Sequence, residues 1–214
     1  MKQIFAIIGF VLVISLAPSI MYGENQIVEI NGQTIVLMEG QRTDMAIDNR
    51  YIYRNDVDTA YALIIGHIYT TQEVEQAFGT PDDIQGEIYD IPTGTGSSFK
   101  EGTLVYVYTD FSFSISYTTG LCSFDIRWED ISFYDYGRIV KVGDNISVLA
   151  DDSNFQPAVV KQSNVFTDEK TGKRSIGTSI NSTGDDDWIY YTFGMDMVDS
   201  LNITISYMGY QQIN

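Results

Sequence analysis

The chain has a single histidine, His67, and a single cysteine, Cys122, and these limit its nucleophilic chemistry. A Ser-His-Asp or Cys-His site must recruit His67, and a thiol nucleophile must be Cys122. Neither stands in a recognisable nucleophile motif. His67 follows the apolar run Ala62 to Ile65, the setting of a structural histidine. Asp185-Asp186-Asp187 after Gly184, with Asp151-Asp152 elsewhere, offers the carboxylate oxygens that a hard cation takes. Their spacing is not that of a calcium loop, and consecutive strand residues point to opposite faces. They therefore read as a solvated turn before a strand at Trp188, and no metal or cofactor is expected. Gly94-Thr95-Gly96-Ser97-Ser98 lacks the Gly-Lys-Ser/Thr of a phosphate loop and reads as a hairpin loop. The 29 acidic residues form many pairs of the type used in glycoside hydrolysis, but nothing singles one out. Aromatic residues give a sharper lead, because Trp and Tyr anchor protein interfaces and stack on sugars. Phe133, Tyr134 and Tyr136 lie among Asp130 and Asp135 in a segment where exposure is expected. The partner-binding candidates are Trp128, Phe133, Tyr134, Tyr136 and Trp188.

Charge and the first residues bear on compartment. Lys2, the apolar run Ile4 to Leu16 and the break at Pro18 have the form of a secretory signal. Cleavage is placed after Ser19 or after Gly23, and no cysteine near either point supports a lipid anchor. An exported, periplasmic or extracellular bacterial protein is expected. No later segment has the length and apolarity of a membrane span. Loss of Lys2 takes the net charge from −17 to −18. That sign disfavours nucleic acid and anionic membranes and leaves basic partners, cations or plain solubility. An apolar fraction of 44% is enough to build a core and argues against disorder. One cysteine forms no internal disulfide, which suits a bacterial exterior better than a eukaryotic secretory route.

The elements that would position these residues are mostly strands. Ile27 to Ile30, Asn31-Gly32 and Thr34 to Leu37 form a hairpin signature, since Asn-Gly accepts the positive φ of a two-residue turn. Residues 40–58 are polar and mixed and read as a long connection. A helix starts at Thr70 or Thr71, carries Glu73 and the stripe Val74, Ala77, Phe78, and stops at Gly79 before Pro81. Ile84 to Ile91 reads as a strand and Pro92 to Gly102 as a Gly/Ser/Thr loop. Phe111, Phe113, Ile115 and Tyr117 alternate with Ser112, Ser114 and Ser116, giving one aromatic face and one hydroxyl face. Phe124, Ile126 and Trp128 alternate likewise. The second half repeats the plan: a short helix near 145–149, strands at 158–165, 176–180 and 188–193, and LNITISYMG at 201–209 against FSFSISYTTG at 111–120.

A short helix closing on Gly79-Thr80-Pro81, followed by a meander, resembles the outer-membrane-assembly lipoprotein fold. Two such units in tandem resemble β-lactamase inhibitor protein and uncharacterised secreted proteins of Bacteroidetes. The resemblance covers about residues 65–210 and implies a non-enzymatic binding or scaffolding role. The second half has no Gly-x-Pro, and neither the anchor cysteine nor the inhibitor-type disulfides are present. The expected architecture is α+β and mainly antiparallel. It comprises a signal peptide at 1–23, a hairpin and connection at 24–60, and two helix-plus-meander units at 61–136 and 137–214. The leading functional expectation is a module that recognises a protein through a sheet face. The alternatives are a carbohydrate-associated protein or hydrolase using paired carboxylates, and a structural envelope component. An exposed aromatic patch would favour the first, and carboxylates across a cleft lined by Trp or Tyr the second.

Overall fold

Asn31 and Gly32 adopt φ of 50° and 82°, the left-handed pair that a tight hairpin turn requires, and they join β1 (Gln26–Ile30) to β2 (Gln33–Met38). The computed structural model describes residues 25–93, 97–145, 148, 165–167, 174–181, 187–195 and 203–212. The signal segment, Asp151-Asp152, residues 158–164 and Asp185-Asp186 lie outside the described residues. Of the helix expected at 145–149, only Asn145 and Val148 are described, and the Val148 N–H donates to the Asn145 carbonyl at 3.1 Å.

The expected connection at 40–58 is instead β3 (Gln41–Arg54), which runs antiparallel to β4 (Thr59–Ile68). Its polar mixture disguises it. The register shifts between Arg42 and Ile47 and again before Tyr51, so the strand never shows a clean alternation. Past the second shift, Arg50 to Tyr53 are all buried. β4 also pairs in parallel with β2, and β3 pairs with β9 (Ile131–Asp135), which turns through Tyr136-Gly137 into β10 (Arg138–Lys141). The first sheet therefore has the order β1-β2-β4-β3-β9-β10.

Helix α1 (Thr71–Phe78) follows β4. Thr70 is its N-cap, and the reciprocal Thr70–Glu73 bonds form a capping box that satisfies the first backbone amides. Val74, Ala77 and Phe78 are its buried face, as the spacing implies. The second sheet starts at β5 (Asp83–Pro92) and continues through β6 (Ser98–Tyr108), β7 (Phe111–Ser116) and β8 (Gly120–Ile126). Next to β8 lies β14 (Ile203–Gln212), followed by β13 (Asp187–Met195), β12 (Arg174–Asn181) and β11 (Val165–Thr167). The expected loop at 92–102 is thus half strand, because β6 begins at Ser98. Tyr117 and Trp128 fall just beyond the ends of β7 and β8 rather than within them. The architecture is mainly antiparallel β with one short α-helix among the described residues.

The two sheets pack face to face. Phe113, Ile115, Phe124, Ile126 and Tyr210 of the second meet Ile52, Leu63, Ile65 and Phe133 of the first, and Phe78 of α1 lies against Phe111 and Phe113. The aromatic faces read from the sequence point inward, whereas Ser112, Ser114 and Ser116 are only partly covered. At one point the backbones themselves touch. Gly66 (φ 80°) and Gly120 (φ 75°) lie so close that a Cβ on Gly120 would overlap the Gly66 carbonyl carbon, and one on Gly66 would overlap Ala46. The Thr43 hydroxyl donates to the Gly66 carbonyl at 2.7 Å and reaches the Thr119 carbonyl at 3.3 Å, tying three segments together.

A buried ion pair closes the first sheet. Arg50 Nε donates to Asp135 Oδ1 at 2.7 Å, with Arg50 1% exposed, and the two residues face each other in the β3–β9 ladder. The Arg50 guanidinium also lies 5.1 Å from the centroid of the Tyr136 ring, and Arg138 approaches Asp135 at 3.9 Å. Removing one partner of such a pair leaves the other charge desolvated. Arg50→Ala should therefore lower unfolding free energy by about 3 kcal/mol in urea titration. Arg138→Ala, at the more exposed end of the cluster, should cost less than about 1 kcal/mol.

Candidate functional site

The sequence-derived candidates divide among several places in the structure. Phe133 is not exposed but is fully buried, with its ring set edge-on to Phe124 at 5.0 Å. Its strand packs against the second sheet, so the flanking acids did not signal solvent. Tyr134, on the other face of β9, stacks on Tyr51 at 4.4 Å. Tyr136 is exposed at the β9–β10 turn, where it covers Arg50. Trp128 is half-buried beneath the Arg54 guanidinium, 5.6 Å away. Trp188 and Asp187 lie in β13, opposite Gln211 and Gln212 of β14. Of the described side chains, Phe133 lies in the core, whereas Tyr134, Tyr136 and Trp128 each meet β3, at Tyr51, Arg50 and Arg54 respectively. Among the described residues no three His, Cys, Asp or Glu side chains converge as metal ligands. No helix among them is long and apolar enough to cross a membrane.

His67 is 3% exposed, and among the described residues neither ring nitrogen has a hydrogen-bond partner. The Asp48 carboxylate, itself held by Arg42, stands 3.7 Å from Nε2, beyond hydrogen-bond range. The ring stacks on Tyr69 at 6.2 Å. Burial lowers its pKa below 6.5 more than Asp48 and Glu39 raise it, and Arg42 lowers it further. Burial likewise raises the pKa of the Cys122 thiol, whose Sγ lies 3.6 Å from the Ser114 carbonyl. An unbonded neutral imidazole and a protonated thiol do not make an activated pair.

The feature that sequence reasoning missed is the distal half of the β5–β6 hairpin. β7 pairs only with Thr103–Tyr108, so Ile88–Pro92 and Ser98–Gly102 continue past the sheet as a two-stranded ribbon. Thr93 and Ser97 close its tip through a backbone bond of 2.7 Å and a hydroxyl–carbonyl bond of 2.8 Å. Gly86 (φ 92°) and Gly102 (φ 123°) sit where the ribbon leaves the sheet. A Cβ on either would overlap the carbonyl oxygen of the facing strand, from Thr103 or Glu87. Cross-paired residues share a face, so Tyr89, Ile91 and Phe99 lie together with Glu87 and Glu101. By the same alternation this face continues the serine-bearing side of β7, opposite the core-facing Tyr106. Tyr89 is 55% exposed and Phe99 49% exposed. The Glu87 carboxylate beside Tyr89 raises the pKa of its phenol. The local signal was available: Ile84, Ile88, Tyr89, Ile91 and Phe99 surround a Gly/Ser/Thr turn. The run of small residues simply extended the loop reading too far.

A shallow cleft of about 310 Å³ lies under the β6–β7 turn, lined by Phe78, Tyr108, Trp128, Asp82 and Asp110. Three of its polar groups are already engaged: Thr109 donates to Asp82 Oδ2 at 3.0 Å, and the Tyr108 hydroxyl donates to the Gly79 carbonyl at 3.0 Å. Comparison of the chain with protein-family models, curated proteins and solved structures gave no match.

Two outcomes are expected. Below pH 6.5 the unfolded chain binds a proton that folded His67 resists, so stability should fall with pH from that point until folded His67 itself titrates. Urea midpoints measured between pH 7.5 and 5.5 should fall for the wild type and flatten in His67→Phe. Gly102→Ala should loosen the ribbon, costing about 1–2 kcal/mol from the positive φ alone, and speed amide exchange in residues 88–92 ahead of the core strands.

Proposed function

We propose that this chain is an exported, non-enzymatic interaction module that recognises a protein partner through the outer face of the β5–β6 ribbon. The observation that carries this reading is the exposure of Tyr89 and Phe99 on a ribbon whose strands, among the described residues, pair only with each other and whose other contact is with Tyr117, beside Lys100 and Gly102. A two-stranded ribbon beyond its sheet gains little stability from its own contacts, so apolar side chains there contribute little to folding. Large aromatics ringed by charge are the residues that carry binding energy once a partner excludes water from them. The acidic rim of Glu87 and Glu101, on a chain of net charge −17, favours a basic partner and speeds its approach. The form of the first 23 residues supports export to a periplasm or cell exterior. A second reading, saccharide binding, is favoured by the cleft that sets Trp128 and Tyr108 beside Asp82 and Asp110.

The double substitution Tyr89→Ala/Phe99→Ala separates the two readings. Both residues are about half exposed and lie outside the core, so the fold should be retained with a change of roughly 0.5 kcal/mol at most. Capture of protein from an envelope extract on the immobilised chain should fall by at least about tenfold. Undiminished capture would refute the ribbon as the contact. Retention on polysaccharide that is lost in Trp128→Ala would favour the cleft instead.

A further inference from the structure

Strand β5 ends the eight-stranded sheet and pairs, among the described residues, only with β6. One rim of its ten residues therefore presents backbone N–H and C=O groups with no ladder partner. At the opposite edge the described residues of β11 are three, so among the described residues β5 is the edge with length enough to accept another strand. We infer that β5 is a docking edge for an extended polypeptide segment in which basic and apolar residues alternate, added to the sheet as a further strand. This rests on the protein-binding reading above and gives that partner its chemistry. Backbone bonds along the rim would supply affinity, and side chains on the two faces would supply selectivity.

The two faces of β5 differ in the way such a segment requires. Asp83, Glu87 and Tyr89 lie on the outer face, where a Lys or Arg at alternate positions meets two carboxylates and an exposed ring. Ile84, Gly86 and Ile88 lie on the other face, where Ile84 is 40% exposed and an apolar side chain would cover it. A second copy of this chain is a poor occupant. Pairing β5 with β5 would crowd the same acids together on two molecules of net charge −17 each.

The test uses the full mature chain and synthetic peptides of about ten residues, the length that spans such a strand. The parent peptide alternates Lys and Val. Two derivatives are N-methylated on one or the other set of alternate amides, and a control alternates Glu and Val. Fluorescence anisotropy should show binding of the parent, loss by at least about tenfold for one methylated set only, and no binding of the Glu control. Amide exchange should slow in β5 when the parent is bound. Equal binding of both methylated peptides would show charge attraction without strand pairing and overturn the inference. So would binding of the Glu control, failure of the parent to bind, or salt-resistant self-association of the chain alone by sedimentation. Each of these leaves the ribbon-face reading intact if Tyr89→Ala/Phe99→Ala still abolishes capture.

Discussion

The two sheets meet at a point where no side chain fits. Gly66 in β4 and Gly120 at the start of β8 bring backbone against backbone, and Thr43 from the bulged part of β3 bonds to carbonyls on both sides of that contact. Close approach there sets the depth at which the facing aromatics interdigitate, with Phe124 against Phe133 and Phe124 against Tyr210. It also explains a buried histidine whose ring nitrogens have no hydrogen-bond partner among the described residues. His67 follows Gly66 in the chain, so the constraint on the glycine carries the imidazole into the same interior, where it is 3% exposed. The burial of the ring appears as a depressed pKa.

From that junction the rest of the second sheet follows. β8 is anchored to β4, β7 pairs with β8, and α1 caps the aromatic layer through Phe78. β6 pairs with β7 only from Thr103 onward, so among the described residues its first residues and the end of β5 pair only with each other, with Tyr117 set beside Lys100 and Gly102. The ribbon is therefore a consequence of strand lengths: eleven residues in β6 against six in β7. Selection for solubility alone would have shortened such an edge or kept it polar. Here it retains Tyr89, Ile91 and Phe99.

Local rules were legible in the sequence, and long-range ones were not. The Asn31-Gly32 turn, the Thr70/Glu73 capping box and the alternation from Phe111 to Ser116 are each decided within a few residues, and each stands in the structure as read. The strand at 41–54 was hidden because its bulges break the period and because Arg50, a charge in the interior, is paired there with Asp135, 85 positions away. Phe133 looked exposed for the same reason: its acidic neighbour Asp135 is half of that buried pair. At the candidate site the residue types were visible, but which aromatics stay uncovered depends on where a neighbouring strand ends. No periodicity within β5 or β6 encodes that.

The central claim is that the distal ribbon is dispensable for folding and required for association. It is tested most directly by replacing residues Tyr89–Glu101 with a short Asn-Gly turn that joins Ile88 to Gly102, then measuring thermal unfolding and partner capture on the same preparation. The account predicts a chain that melts with the wild type and no longer retains its partner. A shortened chain that unfolds at markedly lower temperature, or one that binds as before, would contradict it.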